Sequence, residues 1–205
     1  MLKWLRKHIS REQSAATPAA DLGSREMHHS HTIKRQGDEH AKAGRYADAE
    51  RCYRQVTGSD ADYAGSLVML GFVLREQGRV NEAREVLEHA VRIAGEDADS
   101  HYLLGRTLEA TEHKDAEIFH LQRAIELRPD FELARSQLVA ALLRSDQSAR
   151  ATQVCEDGLA TLPGSSELHL HRSKLYVRAG DKASAIASCE RALALNPACI
   201  AAQQT

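Results

Sequence analysis

Apolar positions along the chain fall at helical spacing, and the spacing recurs. Leu67, Leu70, Gly71 and Leu74 stand at intervals of 3, 1 and 3, one stripe on one face of a helix. The stripe returns 34 residues on as Leu104, Gly105 and Leu108. The same interval links Gly37, Gly71 and Gly105, then Gly44 and Gly78, Ala49 and Ala83, Ala90 and Ala124, Ala151 and Ala185, and Pro129, Pro163 and Pro197. All fall in one frame of five windows without insertion or deletion: 30–63, 64–97, 98–131, 132–165 and 166–199. Each window predicts two helices. The second opens after the turn at Gly44, Gly78 or Gly180, where Gly punctuates and Ala, Leu and charged residues then favour helix. It closes at Arg128-Pro129, Leu162-Pro163 or Asn196-Pro197, because proline disfavours helical geometry in the residue before it. The helices therefore pack as hairpins.

Outside the windows the pattern changes. In residues 1–29, Leu2, Trp4, Leu5, His8 and Ile9 fall on one arc of a helical wheel, with Lys3, Arg6 and Lys7 opposite. This is a short cationic amphipathic segment, marginal as an isolated helix at about nine residues. The stretch Ser14–Ala20 reads as a flexible tether. The segment has three readings: a loose terminus, a cap on the first window, or docking on a membrane surface or partner through residues 2–9. Window one is weak in its first helix, with Gln36 and His40 at core positions. Residues 200–205 read as the start of an incomplete sixth helix. An array exposes apolar surface at its ends unless capped, so Ile186 and Leu193 are expected to be poorly covered, and a homodimer through that C-terminal end is one expectation. A chain that is one piece of a longer protein is the other.

Composition narrows the chemistry. The 205 residues are 42% hydrophobic and only 4% aromatic, so the core is built mainly from Ala and Leu. Twenty-seven Lys plus Arg against 29 Asp plus Glu give a formal charge of −2, with no global basic field to attract nucleic acid. Cys52, Cys155, Cys189 and Cys199 form no CxxC pair, which fits a reduced, cytoplasmic setting. Neither a secretory signal pattern nor a run of 18 apolar residues is found. Phosphate loops, dinucleotide fingerprints, HExxH helices and GxSxG elbows are also missing. His28-His29-Ser30-His31 and His169-Leu170-His171 lack Cys or carboxylate companions at ligand spacing and read as solvated imidazoles, so no metal or cofactor is expected. Cys155 and Cys189 read as buried fillers and Cys199 as the thiol most open to reaction.

The windows resemble the tetratricopeptide repeat family, whose 34-residue helix-turn-helix carries W-x2-L-G-x2-Y…A-x3-F…P. Window two offers Leu67, Leu70-Gly71, Leu74, Ala83, Leu87 and Ala90. Window three offers Leu104-Gly105, Leu108, Leu121, Ala124 and Pro129, and window five Tyr176, Ala185, Cys189, Ala192 and Pro197. Departures include Val139 and Ser173 for the small Gly, Val56 and Gly158 for the later Ala, and His101, Arg135 and His169 at the first large position. Glu117 stands where other windows place Ala. Buried and unpaired, its carboxylate would be costly, so a local rotation or bend is expected in that helix; an E-x-x-H site with His120 is the rarer reading.

The resemblance implies an all-α, right-handed superhelical α-solenoid of five helix-turn-helix units. It also implies a non-enzymatic scaffold that holds another protein or peptide in a concave groove lined by first helices. Groove positions 2, 5, 9, 12 and 13 carry over to Val68, Phe72, Arg75 and Glu76, to Tyr102, Arg106 and Glu109, to Arg144, and to Leu170, Lys174 and Arg178. Phe72 and Tyr102, taken as exposed aromatics beside Arg, are the expected anchors. With Asp99 and Glu167 at position 2 the groove has only a slight cationic surplus. The carboxylate clamp of chaperone-binding relatives is missing, since its places hold Lys34, Asp38, Met69, Asp99 and Leu103. A second expectation, from a different class, is the N-terminal repeat region of a larger bacterial enzyme such as a glycosyltransferase or methyltransferase.

Overall fold

The computed structural model describes residues 2–15, 24–56, 61–111 and 113–197. Among these there are eleven helices and no strand. They divide into two bodies, Met1–Ala110 and Thr111–Thr205, and the division falls inside window three, at the turn between its helices. The N-terminal body holds α1 (Leu2–Ala15), α2 (Ser24–Lys42), α3 (Tyr46–Gln55), α4 (Ala61–Glu76), α5 (Val80–Ile93) and α6 (Ala98–Leu108). The C-terminal body holds α7 (Lys114–Leu127), α8 (Glu132–Arg144), α9 (Ser148–Thr161), α10 (Ser166–Ala179) and α11 (Lys182–Leu195). Second helices thus begin at 46, 80, 114, 148 and 182, each 34 residues after the last. The fold is an all-α solenoid of helical repeats.

Turn chemistry explains the constant interval. In four windows the first helix ends in paired 6→1 and 5→2 backbone bonds, for example Arg79 N–H to Leu74 C=O at 2.9 Å and Gly78 N–H to Arg75 C=O at 3.0 Å. This closure needs a left-handed residue, and Gly44, Gly78 and Gly180 supply it at φ of 74°, 79° and 80°. The fourth window uses Asp146 at φ 54°, a conformation that disfavours a Cβ. The fifth equivalent, Glu112, lies outside the described residues. Side-chain caps open α6, α10 and α11, where Asp97, Ser165 and Asp181 accept from the backbone N–H three residues on.

Within a hairpin and between neighbouring hairpins, small residues set the distance between axes. A Cβ on Gly71 would lie 2.4 Å from Leu87 Cγ, and one on Gly158 would lie 2.8 Å from Leu168 Cδ1. Ala49, Ala83, Ala151 and Ala185 are buried at the matching place in the second helix. The core is close-packed through these absences of volume.

Four expectations change here. The N-terminal helix runs to Ala15 rather than ending near Ile9, and α2 begins at Ser24, inside the stretch read as segment and tether. Gln36 is exposed: α2 instead turns Lys34, Gly37, Asp38 and Ala41 inward, at i, i+3, i+4 and i+7. Asp38 is satisfied there by the Tyr53 hydroxyl, which donates at 2.8 Å, and by Lys34 at 3.6 Å. At Glu117, where a local rotation or bend is expected, the carboxylate is paired instead. Helix α7 runs unbroken with Glu117, Ile118, Leu121 and Ala124 buried, and Arg144 donates to the Glu117 carboxylate at 2.5 Å. An ion pair removes the penalty that a bend would have relieved.

The C-terminal end of the described array shows apolar surface as expected, with Ile186 60% and Leu193 41% exposed. The sixth helix start (200–205), Cys199, the side chains of Leu2, Lys3, His28 and His29, and residues 16–20 of the tether lie outside the described residues. Among the described residues no helix is long and apolar enough to cross a membrane.

Candidate functional site

The first helices of the N-terminal body, α2, α4 and α6, lie side by side and present window positions 2, 5 and 9 on one face. That face is covered. Helix α1 lies on it with Trp4, Leu5, His8 and Ile9 buried and Arg6, Lys7, Ser10 and Arg11 outward, the amphipathic division its sequence predicts. The Trp4 ring packs 5.3 Å from Phe72 and 6.1 Å from Tyr102, centroid to centroid, and His8 stacks on it at 4.8 Å.

Asp99 is the polar centre of this contact. Its carboxylate, 1% exposed, accepts from Trp4 Nε1 at 3.0 Å and from the Arg11 guanidinium at 2.5 Å, and His8 Nδ1 lies 3.1 Å away. Trp4, His8 and Arg11 are spaced i, i+4 and i+7, so a single carboxylate reads one edge of one helix. A buried carboxylate left alone would cost several kcal/mol in desolvation, on the order of the gain from a charge-assisted pair. The pairing therefore fixes register as well as holding α1 in place.

Beside this seat the rim is charged. Arg106 donates to the Tyr102 hydroxyl at 3.3 Å and stands over its ring at 5.7 Å. Burial raises the Tyr102 phenol above its usual value, opposed by Arg106. Arg75 donates to Glu76 at 3.2 Å; burial first, and then the positive Arg106, lower its pKa. Two guanidiniums close enough to repel one another, with Glu109 exposed nearby in sequence, form a rim suited to a carboxylate or a carbonyl group.

Phe72 and Tyr102 are therefore buried beneath α1, which corrects their reading as exposed anchors, and Val68 is buried as well. Their apolar surface has found its cover within the chain.

In the C-terminal body, first helices α8 and α10 pack side by side, and the same window positions have another environment. Lys174 is exposed, Leu170 is buried, and Ser136 Oγ lies 2.9 Å from His171 Nε2. Burial, with the Lys174 ammonium behind it, pushes His171 down to about 4. Arg178 donates to Leu143 C=O at 3.0 Å and to Asp146 at 2.9 Å, while Arg144 holds Glu117. Two of the three cations assigned to this part of the groove thus serve internal pairs. His169 faces Pro163 C=O at 3.2 Å and His171 faces Ser136, so the two imidazoles have different partners. The Cys155 thiol donates to Leu168 C=O at 3.3 Å, and burial raises it to about 12, as befits a filler rather than a nucleophile. Trp4, His8 and Arg11, which face the position-2 carboxylate of Asp99, are the groups that position-by-position reading leaves out of the site; their i, i+4, i+7 spacing on α1 is the signal.

The comparisons agree with this geometry. One tetratricopeptide repeat model matches residues 34–98 and 69–130, and a second such model matches 166–199. No curated protein matches by sequence. Among solved structures, MamA superposes with a TM-score of 0.69 at 25% identity, covering 78% of this chain and 94% of that one. YrrB, described as a TPR protein with an unusual peptide-binding site, gives 0.66 at 21% identity, covering 84% and 89%. Family matches over three stretches fall on the windows whose helices start 34 residues apart and whose glycines admit the facing leucines, and the chain belongs to the tetratricopeptide repeat family.

Proposed function

We propose that the chain is a scaffold of five 34-residue hairpins, Ser30–Cys199, whose first helices line a concave groove that holds a segment of another protein. The observation that carries this reading is α1 itself. A 14-residue amphipathic helix already lies on the first-helix face of the N-terminal body, anchored by Trp4 among Phe72, Tyr102 and Asp99. A surface that seats one helix by an aromatic anchor and charge-assisted hydrogen bonds has the means to seat a polypeptide. The peptide-binding site in YrrB's description supports the same use of the fold. In this reading Arg75, Arg106 and Glu109 form the partner-facing rim of the N-terminal body, and Lys174 that of the C-terminal body, flanked by Arg178 and Arg144 in their pairs with Asp146 and Glu117. No reaction is assigned.

Affinity capture with the full chain tests the reading when two charge reversals are compared. Lys174→Glu with Arg178→Glu alters the first-helix face; Arg123→Glu alters second helix α7. Proteins recovered by wild type should be lost from the first bait and kept by the second. Equal recovery on both would show that the face is not the docking surface.

A further inference from the structure

We infer that the face of the N-terminal body is a receptor for a cationic amphipathic helix bearing Trp-x3-His-x2-Arg, and that α1 is its internal, exchangeable occupant. This rests on the scaffold reading above and names the partner chemistry of the same face. The argument starts from Asp99. A helix that serves only to cover apolar surface needs apolar contacts, as Leu5 and Ile9 provide. Here a carboxylate at 1% exposure faces three polar groups of α1, the indole N–H, the imidazole and the guanidinium of Arg11, with Asp97 a further 3.8 Å contact for Arg11. Such a centre rejects helices lacking those groups, because the carboxylate would be left desolvated without them. Discrimination of this kind is a property of a binding site.

The seat around it has the make-up of a hot spot. Phe72 and Tyr102 flank one tryptophan, with Arg106 stacked on Tyr102 at the edge. Charge points the same way: Asp97 and Asp99 face the seat, and α1 meets both with the Arg11 guanidinium. An incoming helix must therefore carry a cation at the place of Arg11. It competes with a tethered rival, since residues 16–23 join α1 to α2 and give the rival an effective concentration of about millimolar. Cis occupancy thus weakens every ligand in trans, and weakening α1 strengthens them.

Trp4 is the one tryptophan of the chain, which gives a direct readout. The full chain is labelled with 5-fluorotryptophan and titrated with an unlabelled synthetic peptide of residues 1–15; a fluorescein-labelled copy of the peptide measures affinity by anisotropy. The peptide should move the fluorine resonance saturably from its docked to its solvent position. Trp4→Ala should bind the labelled peptide at least tenfold more tightly than wild type, and Arg11→Glu, which leaves no cavity, at least threefold. Asp99→Asn should weaken it at least tenfold relative to Trp4→Ala. Helicity by circular dichroism checks each variant. Trp4→Ala and Arg11→Glu proteins that are helical and bind no better than wild type would overturn exchange and leave α1 a fixed cap. Peptide that binds while the resonance stays docked would also overturn it, yet would keep the scaffold reading by placing ligands elsewhere. A wild-type dimer in light scattering that Asp99→Asn abolishes would overturn the cis assignment in favour of a second copy. Movement of the resonance with anionic phosphatidylserine vesicles but not with peptide would overturn the polypeptide ligand itself.

Discussion

The two bodies present the same window positions and treat them differently. Position 9 is Phe72 in the N-terminal body, sealed under α1, and Lys174 in the C-terminal body, open to solvent. Position 5 is Tyr102 against Trp4 in one and Ser136 against His171 in the other. Both faces are built by neighbouring first helices on a common turn geometry. The difference lies in side chains: an aromatic and carboxylate seat recruits a helix, whereas a face of cations and a buried imidazole leaves its charges in water or in ion pairs. The scaffold sets where side chains stand, and a few of them decide whether a face is occupied.

Breaking the seat should have the largest effect. Trp4→Ala removes a fully packed ring, a change of about 3–5 kcal/mol by volume, bounded by the docking free energy of α1. Hydrogen exchange should show lost protection in α1 with α8–α11 unchanged. If α8–α11 loosen equally, the two faces are not independent and the comparison fails.

Acid sharpens the contrast from the other side. His171 is held neutral in the folded C-terminal body with its pKa lowered from 6.5 to about 4. Below about pH 6.5 the unfolded chain binds a proton that the folded one does not, so stability falls as pH drops towards 4 and is fully present above 6.5. The loss is on the order of 3 kcal/mol. Urea midpoints between pH 7 and pH 4.5 should fall more steeply for wild type than for His171→Gln. Parallel slopes would remove His171 as the cause.

Next comes the pair beneath the C-terminal face. Arg144→Ala strands the buried Glu117 carboxylate and should cost about 1–3 kcal/mol, less than a fully buried pair because Arg144 is 42% exposed. Adding Glu117→Ala restores the residue that other windows use and should return stability to within about 0.5 kcal/mol of wild type. A double variant as weak as the single one would mean that Arg144 acts through other contacts.

The smallest effects distinguish the turns. Gly78→Ala forces a side chain into φ 79° and should cost about 1 kcal/mol, although nothing crowds the added Cβ. Asp146→Gly relieves the same strain in the C-terminal body but gives up the Arg178 pair, so thermal melts should show a gain of less than about 1 kcal/mol.

Much of the scaffold was legible because each of its signals is local. Gly78 and Gly180 mark turns, Pro129 and Pro163 mark stops, and Gly71 faces Leu87 within one hairpin, so all three recur at the repeat interval. The site was half legible. A helical wheel separates Trp4, Leu5, His8 and Ile9 from the cations, yet no periodicity says what that face covers. The answer is Asp99, 95 residues away. Phe72 and Tyr102 read as open in the sequence and are covered in the structure, because occupation by another part of the chain leaves no mark in either stretch alone. Glu117 misled for a similar reason: its relief comes from Arg144, 27 residues on. Asp146 kept its glycine's conformation under a different name.

Acrylamide quenching of the single tryptophan in the full chain tests the central claim most directly. With α1 seated on the first-helix face, Trp4 emission is blue-shifted and resists quenching, and Asp99→Asn shifts it to the red and opens it to the quencher while helicity is kept. A wild-type tryptophan quenched as readily as that of the isolated 1–15 peptide would contradict the account.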